Sequence, residues 1–461
     1  MQRTCSLFRR WRWFALPLAA ALAAPGLVAQ TPASGSPLSF QIGALQFAPG
    51  GFLDFTTVFR STNVGSGIGT NFASIPYSNT VPGRLTELRE SAQNSRLSLK
   101  VSGSHDGTDI FAYLETDFLG NQPGNVAVSS NSDTMRLRVY FVDARNGSWE
   151  VLGGQNWSFL TPNRVGLSPM PSDIFYTQVM DTNYQVGLTW TRQPQFRVIY
   201  HASPNLSGGI SLEDSEPYIG GSSGAPQVTL PGGPGGPFGG QVNNCASNFS
   251  APGFTPDVIA KVAYDSNPNG HGLHLEAAGL ASTFRIFNPA TNTTSHATGG
   301  GVSLNGNAEV ASGIRVLLSS FYGDGGGRYF FGMAPDLIVR QDGTPSPVGS
   351  YGGILGFEAQ LDPAYMLYGY FGGLSIRSNF DLSGVTPVGY GFPGSPNSVN
   401  RAIQEGTLGV VYTFWKSAQY GALQIITQAS YLTRDPFAVA AGTPKNAHTG
   451  MGFLDLRYTL P

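Results

Sequence analysis

The chain has 461 residues, of which 41% are hydrophobic and 12% are charged, with a formal net charge of −2. About a quarter of the residues in soluble domains are usually charged, so the low share excludes coiled coils and charge-covered helical bundles. Beyond residue 30 no stretch of about 18 apolar residues occurs, which excludes transmembrane helices there. The 61 glycines, 32 prolines and 12% aromatic residues instead indicate many short strands joined by loops.

The N-terminus has the order of a secretory signal peptide at residues 1–29. Four arginines precede an apolar stretch at 14–24, which is too short to span a bilayer, and small residues follow up to Ala29. The alternative is a buried N-terminal helix. Removal of this segment leaves 22 basic against 28 acidic residues, a mildly acidic balance that argues against nucleic acid as a partner. It also leaves Cys245 alone, so no internal disulfide is expected.

From residue 51 onward, apolar and polar residues alternate with period two, which predicts strands with one apolar and one polar face. One such segment sets Leu97, Leu99 and Val101 against Arg96, Ser98 and Lys100. The segment 135–141 alternates in the same way. Its predicted apolar face carries Met135, Leu137, Val139 and Phe141, and its opposite face carries Arg136, Arg138 and Tyr140. The C-terminal segment alternates up to Leu460.

Short and long connections alternate along the chain. Seven short turns are predicted, and the Asn-Gly and Gly-rich pairs in them suit tight hairpins. Eight long connections are predicted at about 61–93, 119–133, 158–183, 217–255, 286–299, 325–350, 377–402 and 435–446. Fifteen connections imply sixteen strands, with 184–201 taken as one strand bulged near Pro194. Eighteen strands remain open if 217–254 contains a further hairpin.

The rhythm of short turns and long loops is typical of a transmembrane antiparallel β-barrel. Its apolar face would contact lipid and its polar face would line the lumen, and eight aromatic residues near strand ends are expected in the interfacial girdles: Phe111, Tyr140, Tyr200, Tyr264, Tyr322, Tyr412, Tyr431 and Tyr458. We predict a short periplasmic segment at 30–48 and the all-β barrel at 49–461. The alternative is a soluble all-β secreted protein.

Several segments in order resemble the DcaP-like outer-membrane porins: RESAQNSRLSL at 89–99, YLETDF at 113–118, RLRVY at 136–140, GQNWS at 154–158 and RQPQFRVIY at 192–200. The resemblance covers roughly residues 50–200. It implies a sixteen-stranded barrel, usually a homotrimer, with a loop folded inward at mid-height. Some members of the family carry an N-terminal coiled coil, but residues 30–47 of this chain show no heptad pattern. Some members favour anionic, dicarboxylate-like solutes.

Charged residues with inward parity are the candidate pore-lining residues. Arg96 and Lys100 lie on one predicted strand, Glu115 and Asp117 on the next, and Arg136 and Arg138 on the third. Such rows create a transverse field across a lumen, or they pair with one another and only keep the wall wet. Further cations have inward parity: Arg60, Arg197, Lys261 and Arg315. Arg192 has inward parity only if a bulge near Pro194 shifts the alternation by one residue.

The loop 158–183 lies between the fifth and sixth strands, where the resemblance places the constriction loop. Its prolines would stiffen it, and Arg164 and Asp173 are the candidate eyelet residues. The alternative is an ordinary outer loop.

No enzyme site, cofactor site or metal site is expected. His271 and His274 are three residues apart, which places them on opposite faces of a strand and suits no shared metal. We predict a non-enzymatic porin in the outer membrane of a Gram-negative bacterium, which contacts outer-membrane lipids and lets small hydrophilic solutes diffuse through, with anionic solutes as one option. The alternatives are a non-conducting adhesin or secreted lectin-like protein, and an outer-membrane enzyme on a smaller barrel.

Overall fold

A computed structural model describes residues 36–120, 134–174, 178–221, 228–245, 248–267 and 270–461. The predicted signal peptide at 1–29 lies outside these residues. Within the described ranges, no helix is both long enough and apolar enough to cross a membrane.

Sixteen antiparallel strands form a closed barrel, as predicted. The first eight are β1 Leu45–Arg60, β2 Arg96–His105, β3 Thr108–Asp117, β4 Arg136–Asn146, β5 Trp149–Trp157, β6 Arg192–Ser203, β7 Leu206–Glu213 and β8 Asp257–Ser266. The others are β9 Leu273–Asn288, β10 Thr293–Ala311, β11 Ile314–Asp324, β12 Gly349–Gln360, β13 Tyr365–Ile376, β14 Asn400–Ser417, β15 Gly421–Pro436 and β16 Ala447–Thr459. Each strand pairs with the next, and β16 pairs with β1 from Phe52–Thr459 to Arg60–Met451, which closes the sheet. Closure leaves no unpaired wall edge.

The remaining short strands add no wall position. Glu87–Ser91 pairs with the end of β1 and continues the line of β2, while Phe40–Ile42 folds back on the start of β1. Three strands in the connection between β7 and β8, at Tyr218–Gly221, Asn243–Cys245 and Asn248–Ser250, form a separate small sheet. The described residues of the loop 217–254 therefore contribute no wall hairpin, and the strand that precedes the loop pairs directly with the one that follows it, so the wall has sixteen strands rather than eighteen.

The two faces of the wall have the polarity expected of a barrel in lipid. Outward-facing Leu304, Leu355 and Phe371 are 61%, 58% and 60% exposed. Inward-facing charged residues such as Lys261 and Glu276 are buried instead. In a soluble protein the apolar residues are buried and the polar residues are exposed. This wall shows the opposite distribution, because its outer face is matched to hydrocarbon and its inner face to polar groups.

Two predicted boundaries are wrong. The segment 286–299 is mostly strand, since β9 runs to Asn288 and β10 begins at Thr293, so these two strands extend well beyond the predicted turn. The segment 184–191 is not strand, because β6 begins only at Arg192 and the preceding residues belong to the long connection from β5. The β6 irregularity lies between His201 and Ser203, not at Pro194.

A bulge also overturns the predicted phase of β4. The β3–β4 register shifts between Glu115 and Thr116, so one extra β4 residue faces the same stretch of β3. Such a bulge flips the facing of everything beyond it. Arg138 and Val139 therefore both contact the interior, and Phe141 is buried there with Leu152. Phe111 is likewise packed against this interior cluster and does not belong to the outer girdle.

The long connections pack inside one large apolar cluster with the wall. Ile68 and Phe72 of the connection after β1, Val186 of the connection after β5, and Phe330 of the connection after β11 are all buried in it. Wall residues such as Ile403 complete the cluster. Burial of this apolar surface stabilises the loops against the barrel.

Candidate functional site

An ion-pair cluster on β2, β3 and β4 brings together five of the predicted pore residues. Arg138 Nε donates to Glu115 at 2.6 Å and its Nη1 to Asp117 at 2.6 Å. Arg136 donates two hydrogen bonds to Asp117, at 2.9 Å each. Arg96 lies 4.0 Å from Glu115 and donates to the Tyr184 hydroxyl at 2.9 Å. The opposite charges are thus paired within the wall, which is one of the two arrangements that the sequence left open.

Aromatic rings and a further arginine adjoin this cluster. The Trp157 ring lies 5.8 Å from the Arg138 guanidinium and 5.6 Å from that of Arg192. Trp190 contacts both Trp157, at 4.9 Å between ring centres, and Tyr184, at 4.5 Å. With Arg192, four arginines lie close to two carboxylates, which leaves a local excess of positive charge. Cation–π contacts with the rings hold that charge in place.

The first part of the connection 158–191 is hydrogen-bonded to the inner faces of β8, β9 and β12. Arg164 forms a bidentate ion pair with Glu358, at 2.8 and 2.7 Å. The backbone N–H of Asn163 donates to Glu276 at 3.1 Å, and that of Gly166 donates to Asp265 at 3.0 Å. These wall residues lie within a few positions of the short turns, so this part of the connection reaches deep along the strands.

The second part of the same connection contacts β12 to β15. The N–H groups of Met180 and Val186 donate to Gln428 at 2.7 Å and to Glu405 at 3.0 Å. At Gly187, which has φ +92°, a Cβ atom would lie 2.3 Å from the Gly353 carbonyl oxygen. Only glycine permits this close approach of backbone to wall. Loop and wall thus fit together through backbone groups as well as side chains.

A second charged cluster lies beneath the loop on β8 and β9. Lys261 Nζ forms an ion pair with Glu276 at 2.8 Å and donates to the Thr161 carbonyl oxygen at 2.8 Å. His274 lies between Asp265, at 2.9 Å, and Glu276, at 3.2 Å. The carboxylates satisfy the buried cation, and the arrangement ties the loop to this wall.

The remaining predicted site residues lie apart from the β2–β4 cluster. Arg60 is fully buried and donates to Glu87 at 3.0 Å and to the Ile68 carbonyl oxygen at 2.8 Å, so it holds the connection after β1. Arg197 donates to Gln195 at 2.6 Å and stacks 4.3 Å from the Phe159 ring. Asp173 accepts the Arg164 backbone N–H at 2.6 Å through its carbonyl oxygen.

A buried carboxyl joins two outer connections above β8. Asp336 accepts hydrogen bonds from the backbone N–H groups of Tyr218 and Arg328, at 2.8 Å each. Burial raises the pKa of Asp336 to about 7, against the opposing effect of the Arg328 charge. Arg328 also forms an ion pair with Asp257. This group can therefore change its charge near neutral pH.

Three wall carboxylates that anchor the connection, Glu276, Glu358 and Glu405, are not among the candidate residues predicted from the sequence. All three have inward parity within alternating segments, so the period-two pattern could have found them. Their partners could not have been found this way, because these come from a distant loop. Among the described residues, no group of three or more His, Cys, Asp or Glu side chains is arranged to hold a metal ion.

Comparison with solved structures shows the same fold in known proteins. The chain is similar to the outer-membrane channel DcaP of Acinetobacter baumannii, with a TM-score of 0.65, 16% identity, and coverage of 90% of this chain and 98% of that one. It is also similar to the anion-selective porin from Comamonas acidovorans, with a TM-score of 0.50, 11% identity, and coverage of 90% and 100%. No protein-family profile matches the chain, and no curated protein matches it. The resemblance to DcaP-like porins seen in the sequence is confirmed at the level of fold.

Proposed function

We propose that the protein is an outer-membrane porin that lets small hydrophilic solutes diffuse passively through its barrel. The observation that carries this proposal is the closed sixteen-stranded wall, with exposed apolar residues outside and charged residues inside. A barrel of this size has room for an aqueous passage. Solved structures with the same fold include a protein named as an outer-membrane channel and another named as an anion-selective porin.

The connection 158–191 is proposed as the constriction loop. Its hydrogen bonds to Glu276, Glu358 and Glu405, on three separate strands, support a position across the interior rather than above it. Aligned dipoles and ion pairs along such a loop would set the size and charge of passing solutes. In this proposal Arg164 and Asp173 position the loop, because Arg164 is paired with Glu358 and Asp173 binds through its backbone.

Preference for anions is proposed from the β2–β4 cluster. The pairing of Arg136 and Arg138 with Asp117 and Glu115 weakens a transverse field, but the neighbouring Arg96 and Arg192 keep an excess of positive charge. Fixed positive charge raises the local concentration of anions. A signal peptide at 1–29, location in a Gram-negative outer membrane and a homotrimer complete the proposal.

Single-channel recording in planar bilayers tests the function. We expect stepwise KCl current from the purified, detergent-folded protein, and a reversal potential on the anion side under a salt gradient. Protein that inserts, as shown by heat-modifiable gel migration, but passes no current would contradict the porin and favour a non-conducting surface protein. Multi-angle light scattering of the detergent complex tests the trimer.

A further inference from the structure

An apolar patch interrupts the polar inner face on β3, β4 and β5. It consists of five wall residues, Phe111, Tyr113, Val139, Phe141 and Leu152, and we call it the aromatic patch. The Phe111 and Phe141 rings meet edge to face at 5.7 Å between centres, and Tyr113 lies 6.0 Å from Phe141. Met170 of the connection 158–191 packs against the same cluster.

The aromatic patch is only partly covered. Val139, Phe141 and Leu152 are buried, whereas Phe111, Tyr113 and Met170 are half-buried and present apolar surface to the interior. A passage for hydrophilic solutes alone would be lined with polar groups. Uncovered apolar surface next to a few polar groups is instead the usual composition of a binding site for small molecules.

An uncompensated cation lies at the edge of the aromatic patch. Lys100 is cross-strand from Tyr113, and its Nζ lies 5.4 Å from the centre of the Phe111 ring. In the part of the chain that the structure describes, Lys100 makes no ion pair and no side-chain hydrogen bond. Arg138, Arg164 and Lys261, by contrast, are each paired with a carboxylate. An unpaired ammonium beside apolar rings points to an anionic partner.

The acidic groups at the opposite edge of the aromatic patch are buried. Asp143 is cross-strand from Phe111, but it is only 2% exposed and adjoins Glu150, which binds His201 at 2.8 Å. The accessible charge at the patch is therefore positive.

We propose that Lys100 and the aromatic patch form a lumenal binding site for small aromatic carboxylates. The ring of the solute would lie against Phe111 and Tyr113, and its carboxylate would accept a hydrogen bond from Lys100. Rings contribute apolar contact and edge-to-face geometry, and the charge-assisted hydrogen bond fixes orientation. This proposal rests on the proposed porin function and names one solute class for it.

Current block by benzoate in planar bilayers tests the site with the full-length folded protein. Benzoate should reduce KCl current at a concentration at least about tenfold lower than acetate, succinate or benzylamine require. No KCl current at all would contradict the porin itself. Normal KCl current with benzoate no better than acetate or succinate would overturn only the aromatic-carboxylate site. Stronger block by benzylamine would overturn it too, since recognition would then belong to Asp143 and Glu150.

Variants separate the two halves of the site. Lys100→Gln and Phe111→Leu should each raise the blocking concentration of benzoate by about tenfold, while Lys100→Arg retains block. Lys416→Gln, at an exposed lysine near the end of β14, is the matched control and should change nothing. Phe111→Leu keeps an apolar side chain, so folding is expected to survive. If neither Lys100→Gln nor Phe111→Leu weakens the block, the proposal is wrong.

Discussion

Removal of one partner of the Arg164–Glu358 pair should destabilise the barrel by about 2 to 3 kcal/mol. Two hydrogen bonds, at 2.8 and 2.7 Å, join these side chains, which are 19% and 10% exposed, and the Tyr370 hydroxyl donates to Glu358 at 2.7 Å. Loss of one member of a buried pair costs about 3 to 5 kcal/mol, and the partial exposure reduces that value. Glu358→Met would leave the Arg164 guanidinium without its carboxylate beneath the loop.

The double variant Arg164→Met with Glu358→Met should be no less stable than either single variant. Two apolar side chains replace two charges, so neither is left unpaired, and the coupling energy should be about 2 kcal/mol. Guanidinium unfolding in detergent measures the four free energies, and single-channel noise reports loop motion. The Arg89–Glu87 pair is the control. Arg89 is 44% exposed and Glu87 keeps its ion pair with Arg60, so Arg89→Met should cost less than about 1 kcal/mol. If the losses in unfolding free energy of the two single variants simply add in the double variant, the prediction is wrong. It is also wrong if each single variant is as stable as the parent protein.

Three further predictions concern the pH dependence, the loop and the lipid face. Because burial raises the pKa of Asp336 to about 7, the folded state holds this proton more tightly than the unfolded chain. As the pH rises from 4 to 7, the free energy of unfolding of the parent protein should therefore fall by as much as about 4 kcal/mol relative to that of Asp336→Asn. A difference in unfolding midpoint between the two proteins that stays constant with pH would contradict this. Gly187→Ala should displace the loop, since its Cβ would lie 2.3 Å from the Gly353 carbonyl oxygen, and accelerated proteolysis of 158–191 would show it. Leu304→Arg, on the outer face, should cost about 2 to 4 kcal/mol in lipid-folding experiments.

The wall of the barrel is predictable from the sequence alone. Strand identity depends on period-two alternation and on turn residues, both of which act over a few positions, so sixteen strands and the polarity of most of their faces follow from local pattern. The local pattern gives the wrong facing at β4, where a single bulge near Arg138 reverses the facing of Val139 and Phe141. It also fails at 184–191, which alternates like a strand but is buried against loops and wall instead.

The contents of the interior depend on contacts between distant parts of the chain. Arg164 and Glu358 are 194 residues apart, and Val186 and Glu405 are 219 apart, so no spacing rule joins them. Their contacts depend on where the connection 158–191 settles, and that position is selected by burial of its apolar residues and by backbone donors meeting wall carboxylates. Lys100 shows the same limit from the other side. The sequence pattern predicts that Lys100 faces inward. Only the fold shows that Lys100 lies beside an aromatic ring and has no carboxylate partner among the described residues.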